Sequence, residues 1–153
     1  MFLFLHAPVA IALTEKINDP LATFAIGTAS HFLTDLIPHG DRQIDEWMQK
    51  KPRRARLAIF AILGSVDTVL VCLIVWKLAI NAGVHTNVIA AILGSIAPDY
   101  LWGLHELTKW RFLDKYRKFH NWFQSFRGRD VPFWLGLAYQ VVVTAFLINF
   151  INR

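Results

Sequence analysis

The run from Leu57 to Ile80 constrains this chain most: twenty-four residues interrupted only by Ser65, Asp67, Thr68 and Lys77. At about 1.5 Å per residue, a helix of that length covers the roughly 30 Å hydrocarbon core of a bilayer. A soluble domain of 153 residues does not need such a run, and a hydrophobic content of 55% with a mean hydropathy of +0.38 points the same way. Four more apolar segments follow the same logic. Residues 131–151 carry no ionised group, 88–107 are interrupted by Pro98, Asp99 and His105, and 21–37 hold His31 and Asp35. Residues 2–13 are too short to cross alone; they lack a basic leader and contain His6, so they fit a cleaved signal peptide poorly and read as part of the mature chain. The expectation is an all-α fold: one membrane-embedded helical domain over 1–153, an integral membrane bundle of about four to five segments with an interfacial amphipathic helix.

Charge sets the expected orientation. Segment 39–56 has six Lys/Arg and 108–130 has seven, whereas 14–20 and 81–87 share one Lys. The positive-inside rule puts the two basic loops in the cytoplasm and locates the protein in the cytoplasmic (inner) membrane. The net charge of +5 sits beside apolar spans, as for cytoplasmic anchors on anionic lipid, so membrane lipid is the expected partner and no specific nucleic acid is. "GDRQIDEWMQKKPRRAR" reads as a loop with a short interfacial helix closed by Pro52, and "KWRFLDKYRKFHNWFQSFRGRD" as an aromatic-basic helix at the headgroup boundary. The single cysteine, Cys72, excludes an intrachain disulfide and a cysteine-rich zinc module, so any metal must be held by His and carboxylates.

Such ligands are present where they are costly. "SHFLTDLIPHGD", residues 30–41, puts two His and two Asp at the end of an apolar helix. Counting from the cytoplasmic ends, Asp35 lies about 3 to 5 Å deep, His31 and Asp99 about 10 Å and Asp67 about 15 Å. His31 and Asp35, at i and i+4, share one helix face and can approach one cation together. A carboxylate at a helix centre costs about 2.5–3.5 kcal/mol on insertion scales, so His31, Asp35, Asp67 and Asp99 at one level point to metal or proton chemistry. His6 by itself reads as a packed core histidine, and His120 as part of a solvated face. His39 and Asp41 follow Pro38 and fit either a terminating turn or metal ligation. The repeated Gly-Ser of "AIFAILGSVD" and "VIAAILGSIAPD" reads as close helix packing.

"SHFLTDLIPHGD" followed by "GSIAPD" resembles the membrane-bound metal-dependent hydrolase family, small inner-membrane proteins whose helical core is similar to zinc-dependent phospholipase C. The resemblance implies metal ligation by His6, His31, Asp35 and Asp99, with His120 the fifth candidate metal ligand. The family's H-R-G-x-T-H element is absent; "FHNWFQ" keeps His120 and puts Gln124 where a second His is expected. The implied cofactor is a divalent metal, zinc first, with manganese and iron as alternatives. The implied chemistry is hydrolysis of a phosphate ester or phospholipid headgroup at the cytoplasmic face, with Asp67 or His39 accepting the proton. The alternative is a non-enzymatic membrane protein whose polar or metal cluster is structural and whose basic face docks lipid or a partner.

Overall fold

The computed structural model describes residues 1–82, 85–128 and 130–151. These form α1 (Leu3–Thr14), α2 (Pro20–Asp35), α3 (Asp41–Gln49), α4 (Arg53–Ala82), α5 (Thr86–Thr108), a 3-10 turn (Arg111–Leu113), α6 (Asp114–Gln124) and α7 (Phe133–Ile151). Three of them are long and apolar enough to cross a membrane, namely Arg53–Leu78, Thr86–Thr108 and Phe133–Ile151. Fewer helices therefore reach that length than the four to five segments expected: α2 has 16 residues and α1 has 12.

The outer helices α4 and α7 turn large apolar side chains outward, and α7 is lined inside by small and polar residues. On α7 the buried positions are Gly136, Gln140 and Thr144, one per turn, while Trp134, Val142 and Phe146 face outward. On α4 the buried set is Asp67, Val71 and Leu78, and Ile62, Val66, Val69 and Trp76 are exposed. Large apolar surfaces of this kind belong against hydrocarbon rather than water.

The short first segment is the centre of the molecule. Nearly every residue of α1 from Leu3 to Ile11 is buried, and the helix touches α2, α4, α5 and α7. Its Phe2 cap position offers no side-chain acceptor, so the free amides of the first turn are satisfied from neighbouring helices. Asp67 of α4 accepts Leu3 N at 2.6 Å and Phe4 N at 3.0 Å, and Gln140 of α7 accepts Phe2 N at 2.8 Å. A carboxylate there also complements the positive end of the helix dipole.

Small residues let α2 and α5 pack backbone to backbone. A Cβ on Gly27 would overlap the Ala91 carbonyl, and one on Gly94 the Phe24 carbonyl. Pro98 cannot donate an amide to the Gly94 oxygen four residues earlier; Thr28 Oγ1 stands 3.2 Å from that oxygen and 3.0 Å from the Phe24 carbonyl, and can donate to either. The two Gly-Ser pairs thus differ: Gly94 is a packing glycine, whereas a Cβ on Gly64 meets nothing within 4 Å. Gly94→Val is expected to cost about 1–3 kcal/mol or more through overpacking. Gly64→Val should stay within about 0.5 kcal/mol in the same thermal unfolding assay.

The two basic segments meet at one end of the bundle. Gly40, at φ +85° and with Phe133 Cα where a Cβ would sit, begins α3 and can only be glycine. Asp130 accepts Gly40 N at 2.8 Å and Arg42 N at 3.1 Å, capping α3 from across the chain. Burial alone would push the Asp130 carboxyl up, but the Gly40 and Arg42 amides and the Arg127 guanidinium outweigh it and hold the group below the usual carboxylate range. Because the folded value is depressed, its stabilisation is present above the unfolded pKa and is lost as pH falls through the folded one. Asp130→Ala should therefore cost about 1–2 kcal/mol at neutral pH. Thermal melts of the variant and wild type should converge in acid.

Candidate metal centre

Five of the polar residues singled out above come together from four helices: His6 on α1, His31 and Asp35 on α2, Asp99 on α5 and His120 on α6. One ligand atom each from His31, Asp35, Asp99 and His120 lie within 4.8 Å of one another. His31 Nε2 is 3.5 Å from Asp35 Oδ2 and 3.7 Å from Asp99 Oδ1, and His120 Nε2 is 3.4 Å from that same Asp99 oxygen. His6 Nε2 stands 3.4 Å from Asp35 Oδ1 and 3.9 Å from Asp99 Oδ2. Side chains of His6, His31 and Asp35 are wholly buried and that of Asp99 is 22% exposed, so the cluster meets its surroundings at Asp99.

The packing described above fixes the imidazoles. His31 lies one turn beyond Gly27, and the close α2–α5 approach brings its Nδ1 to 2.9 Å from the Ser95 carbonyl, where it must donate. His6 Nδ1 is 2.9 Å from Thr34 Oγ1, which in turn donates to the carbonyl of Ser30 or His31, both at 2.9 Å. When it donates to either carbonyl, that hydroxyl accepts from His6 Nδ1. The Ser95 carbonyl thus leaves His31 Nε2 as a lone pair turned to the centre, and His6 Nε2 is one as well in the tautomer that donates to Thr34. His6 Nε2 is buried without a hydrogen-bond partner. His31 Nε2 also faces His120 Nε2 at 3.4 Å.

Imidazoles and carboxylates thus converge in a buried site where the Met1 amino group and Gln124 Nε2 serve only Asp35 among them, and a cation among the rings would satisfy the lone pairs that remain. Their separations fit one: donors at about 2.0–2.2 Å from a tetrahedral zinc are roughly 3.4 Å apart. A His/Asp cluster capable of coordinating a divalent metal is therefore present in the fold.

His120 differs most from its expected environment. Rather than lying on a solvated face, it is 1% exposed, held over the cluster because Phe32 packs against Phe119, Phe123 and the His120 ring itself. Gln124, one turn further along α6, donates from Nε2 to Asp35 Oδ2 at 2.9 Å. The i+4 spacing of Gln124 from His120, and the position of Thr34 three residues after His31, are the signals the sequence carries for these two supporting residues.

The other two residues expected at the site lie beside the cluster. Both oxygens of Asp67 are engaged by the α1 amides. His39 donates from Nδ1 to the Ile37 carbonyl at 2.6 Å, and its Nε2 faces Asp41 Oδ2 at 2.9 Å and Arg127 Nη1 at 2.8 Å. The Met1 amino group joins this group to the cluster, 2.8 Å from Asp41 Oδ2 and 3.1 Å from Asp35 Oδ1. His105 is placed elsewhere, bound to Asp114 Oδ1 at 2.8 Å where it fastens α5 to α6.

Fold and site define a membrane-associated, helix-rich protein with a candidate metal-coordinating cluster inside its bundle. No model of a known protein family, no curated protein and no solved structure matches the chain. The class rests on the chain's own residues.

Proposed function

We propose that the protein is a membrane-bound metal-dependent hydrolase acting on a phosphate ester or phospholipid headgroup, with the two basic segments and the site at the cytoplasmic face. His6, His31, Asp35, Asp99 and His120 would hold the cation. Mixed imidazole and carboxylate donors suit zinc, with manganese or iron as alternatives. The observation that carries this reading is the convergence of one ligand atom each from His31, Asp35, Asp99 and His120 within 4.8 Å of one another, with His6 Nε2 buried beside two of those carboxylates.

A bound divalent cation supplies Lewis acidity and acidifies a water at the site. The chain's own residues do the rest. Ser95 and Thr34 orient the imidazoles, and Gln124 holds one oxygen of Asp35. Asp99, the partly exposed member, marks the side from which a substrate enters. Arg127, beside His39 and Asp130, and the neighbouring basic residues favour an anionic ester at the basic end of the bundle. Both proton acceptors expected from sequence are engaged: the Asp67 oxygens accept the α1 amides, and His39 Nε2 accepts from Arg127 Nη1 at 2.8 Å, so either would have to be released to take a proton.

Metal analysis of protein purified from membranes without chelator tests the reading. It should show stoichiometric Zn, Mn or Fe, and hydrolysis of bis(p-nitrophenyl) phosphate that chelation removes. Protein with no bound metal, and no metal-restored turnover, would sink the proposal. Metal without turnover would support the second reading, a structural cluster in a non-enzymatic protein. The observation favouring that one is Gln124 bonded to Asp35 at a position that offers no further ligand.

A further inference from the structure

The two carboxylates of the cluster turn different oxygens to different imidazoles. Asp35 Oδ2 and Asp99 Oδ1 face His31 Nε2 at 3.5 and 3.7 Å, and that Asp99 oxygen also faces His120 Nε2 at 3.4 Å. His6 Nε2 meets the other oxygen of each, Asp35 Oδ1 at 3.4 Å and Asp99 Oδ2 at 3.9 Å. The donors therefore divide into a set of four, two imidazoles with two carboxylate oxygens, and a set of three around His6. The rings divide in the same way. Two imidazoles on one tetrahedral cation, each nitrogen about 2.0–2.1 Å from it, keep their ring centres about 5 Å apart. His31 and His120 stand 5.7 Å apart and can share a cation. His6 and His31, at 4.3 Å and with planes only 34° from parallel, are too close for that geometry. Their spacing is nearer to that of adjacent cations in two-metal sites, about 3.5–4 Å.

We propose that the centre holds two divalent cations, with Asp35 and Asp99 bridging between them. His31, His120, Asp35 Oδ2 and Asp99 Oδ1 make a closed four-donor position, the coordination number of structural zinc sites. His6, Asp35 Oδ1 and Asp99 Oδ2 make a three-donor position that leaves one coordination place open, as catalytic sites do. The oxygens have lone pairs to spare. Asp35 Oδ1 also takes the Met1 amino group at 3.1 Å and Oδ2 takes Gln124 Nε2 at 2.9 Å, and each keeps a second lone pair. His6 Nε2, buried without a hydrogen-bond partner, is the donor that a single cation in the four-donor position leaves unused. Paired cations exceed the charge of the two carboxylates, and the surplus suits an anionic phosphate ester, a substrate class that two-metal sites serve. This rests on the metal-dependent reading above and adds the number of cations and the division of ligands between them.

The test uses the full-length protein in detergent micelles, stripped with chelator and reloaded with zinc or manganese. Zinc retained after desalting should reach about two equivalents per chain. Manganese at the same loading should give an exchange-broadened paramagnetic resonance spectrum in place of the hyperfine sextet of an isolated ion. His6→Ala should retain about one equivalent: binding of the second weakens by roughly 100-fold or more, the first stays within about tenfold, and the manganese spectrum reverts to the sextet. His6→Gln, closer in volume to the buried imidazole, gives the same readout if the alanine variant does not fold, and the wild-type spectrum needs no variant. Saturation of wild type at one equivalent with the isolated-ion sextet would overturn the proposal and leave a one-metal hydrolase standing. Loss of both equivalents together in a folded His6 variant, or a coupled pair retained in it, would overturn the proposal as well. No metal uptake by wild type would remove both this inference and the hydrolase reading.

Discussion

Asp67→Ala is expected to be the most damaging single substitution outside the metal cluster. It leaves the Leu3 and Phe4 amides without acceptors inside the bundle, at about 1–3 kcal/mol each, and removes the negative charge at the N-terminus of the central helix. A loss of about 3–5 kcal/mol follows, a fall in thermal midpoint on the order of 10 °C for a chain of this size. Asp67→Asn keeps one acceptor oxygen and should recover roughly half of that. Both are measured by circular dichroism melts of the detergent-solubilised protein. A midpoint for Asp67→Ala indistinguishable from wild type would show that the capping contributes nothing. Because Asp67 does not share the convergent set, variant protein that remains folded should keep its metal.

Asp99→Ala should do the opposite, sparing the fold and emptying the site. Asp99 faces His6, His31 and His120 at 3.9, 3.7 and 3.4 Å, and its loss removes the carboxylate common to all three imidazoles. Zinc affinity, read by competition with a chromophoric chelator, should fall by more than the roughly 10- to 100-fold typical of losing an outer partner. Gln124→Ala removes such an outer partner, the donor to Asp35, and should fall within that range. Unaltered zinc affinity in Asp99→Ala would exclude these residues as the binding site. An equal effect of the two variants would mean that Asp99 only orients other groups.

The long spans were legible because period and length alone decide them: the apolar segments 57–80, 88–107 and 131–151 correspond to α4, α5 and α7 within a few residues. His31 and Asp35 were legible as a pair because i and i+4 fall on one helix face whatever surrounds them. His120 is a candidate ligand only through the motif resemblance, since its own segment has an amphipathic pattern in which a histidine among lysines looks solvated; the docking of Phe32 between Phe119 and Phe123 turns that face inward. The role of Asp67 was equally hidden. Its acceptors are backbone amides, which every sequence contains and none advertises.

The sequence by itself determined that this chain is a helical membrane protein with His and Asp at costly depths, because composition, run length and helical spacing are local properties. Tertiary structure alone decided which of those groups share a centre. That outcome depends on Gly27 and Gly94 letting two backbones touch, on α1 lying buried among its neighbours, and on an aromatic clasp closing α6 over them. Each of these is a contact between residues far apart in the chain, whose distance no periodicity encodes.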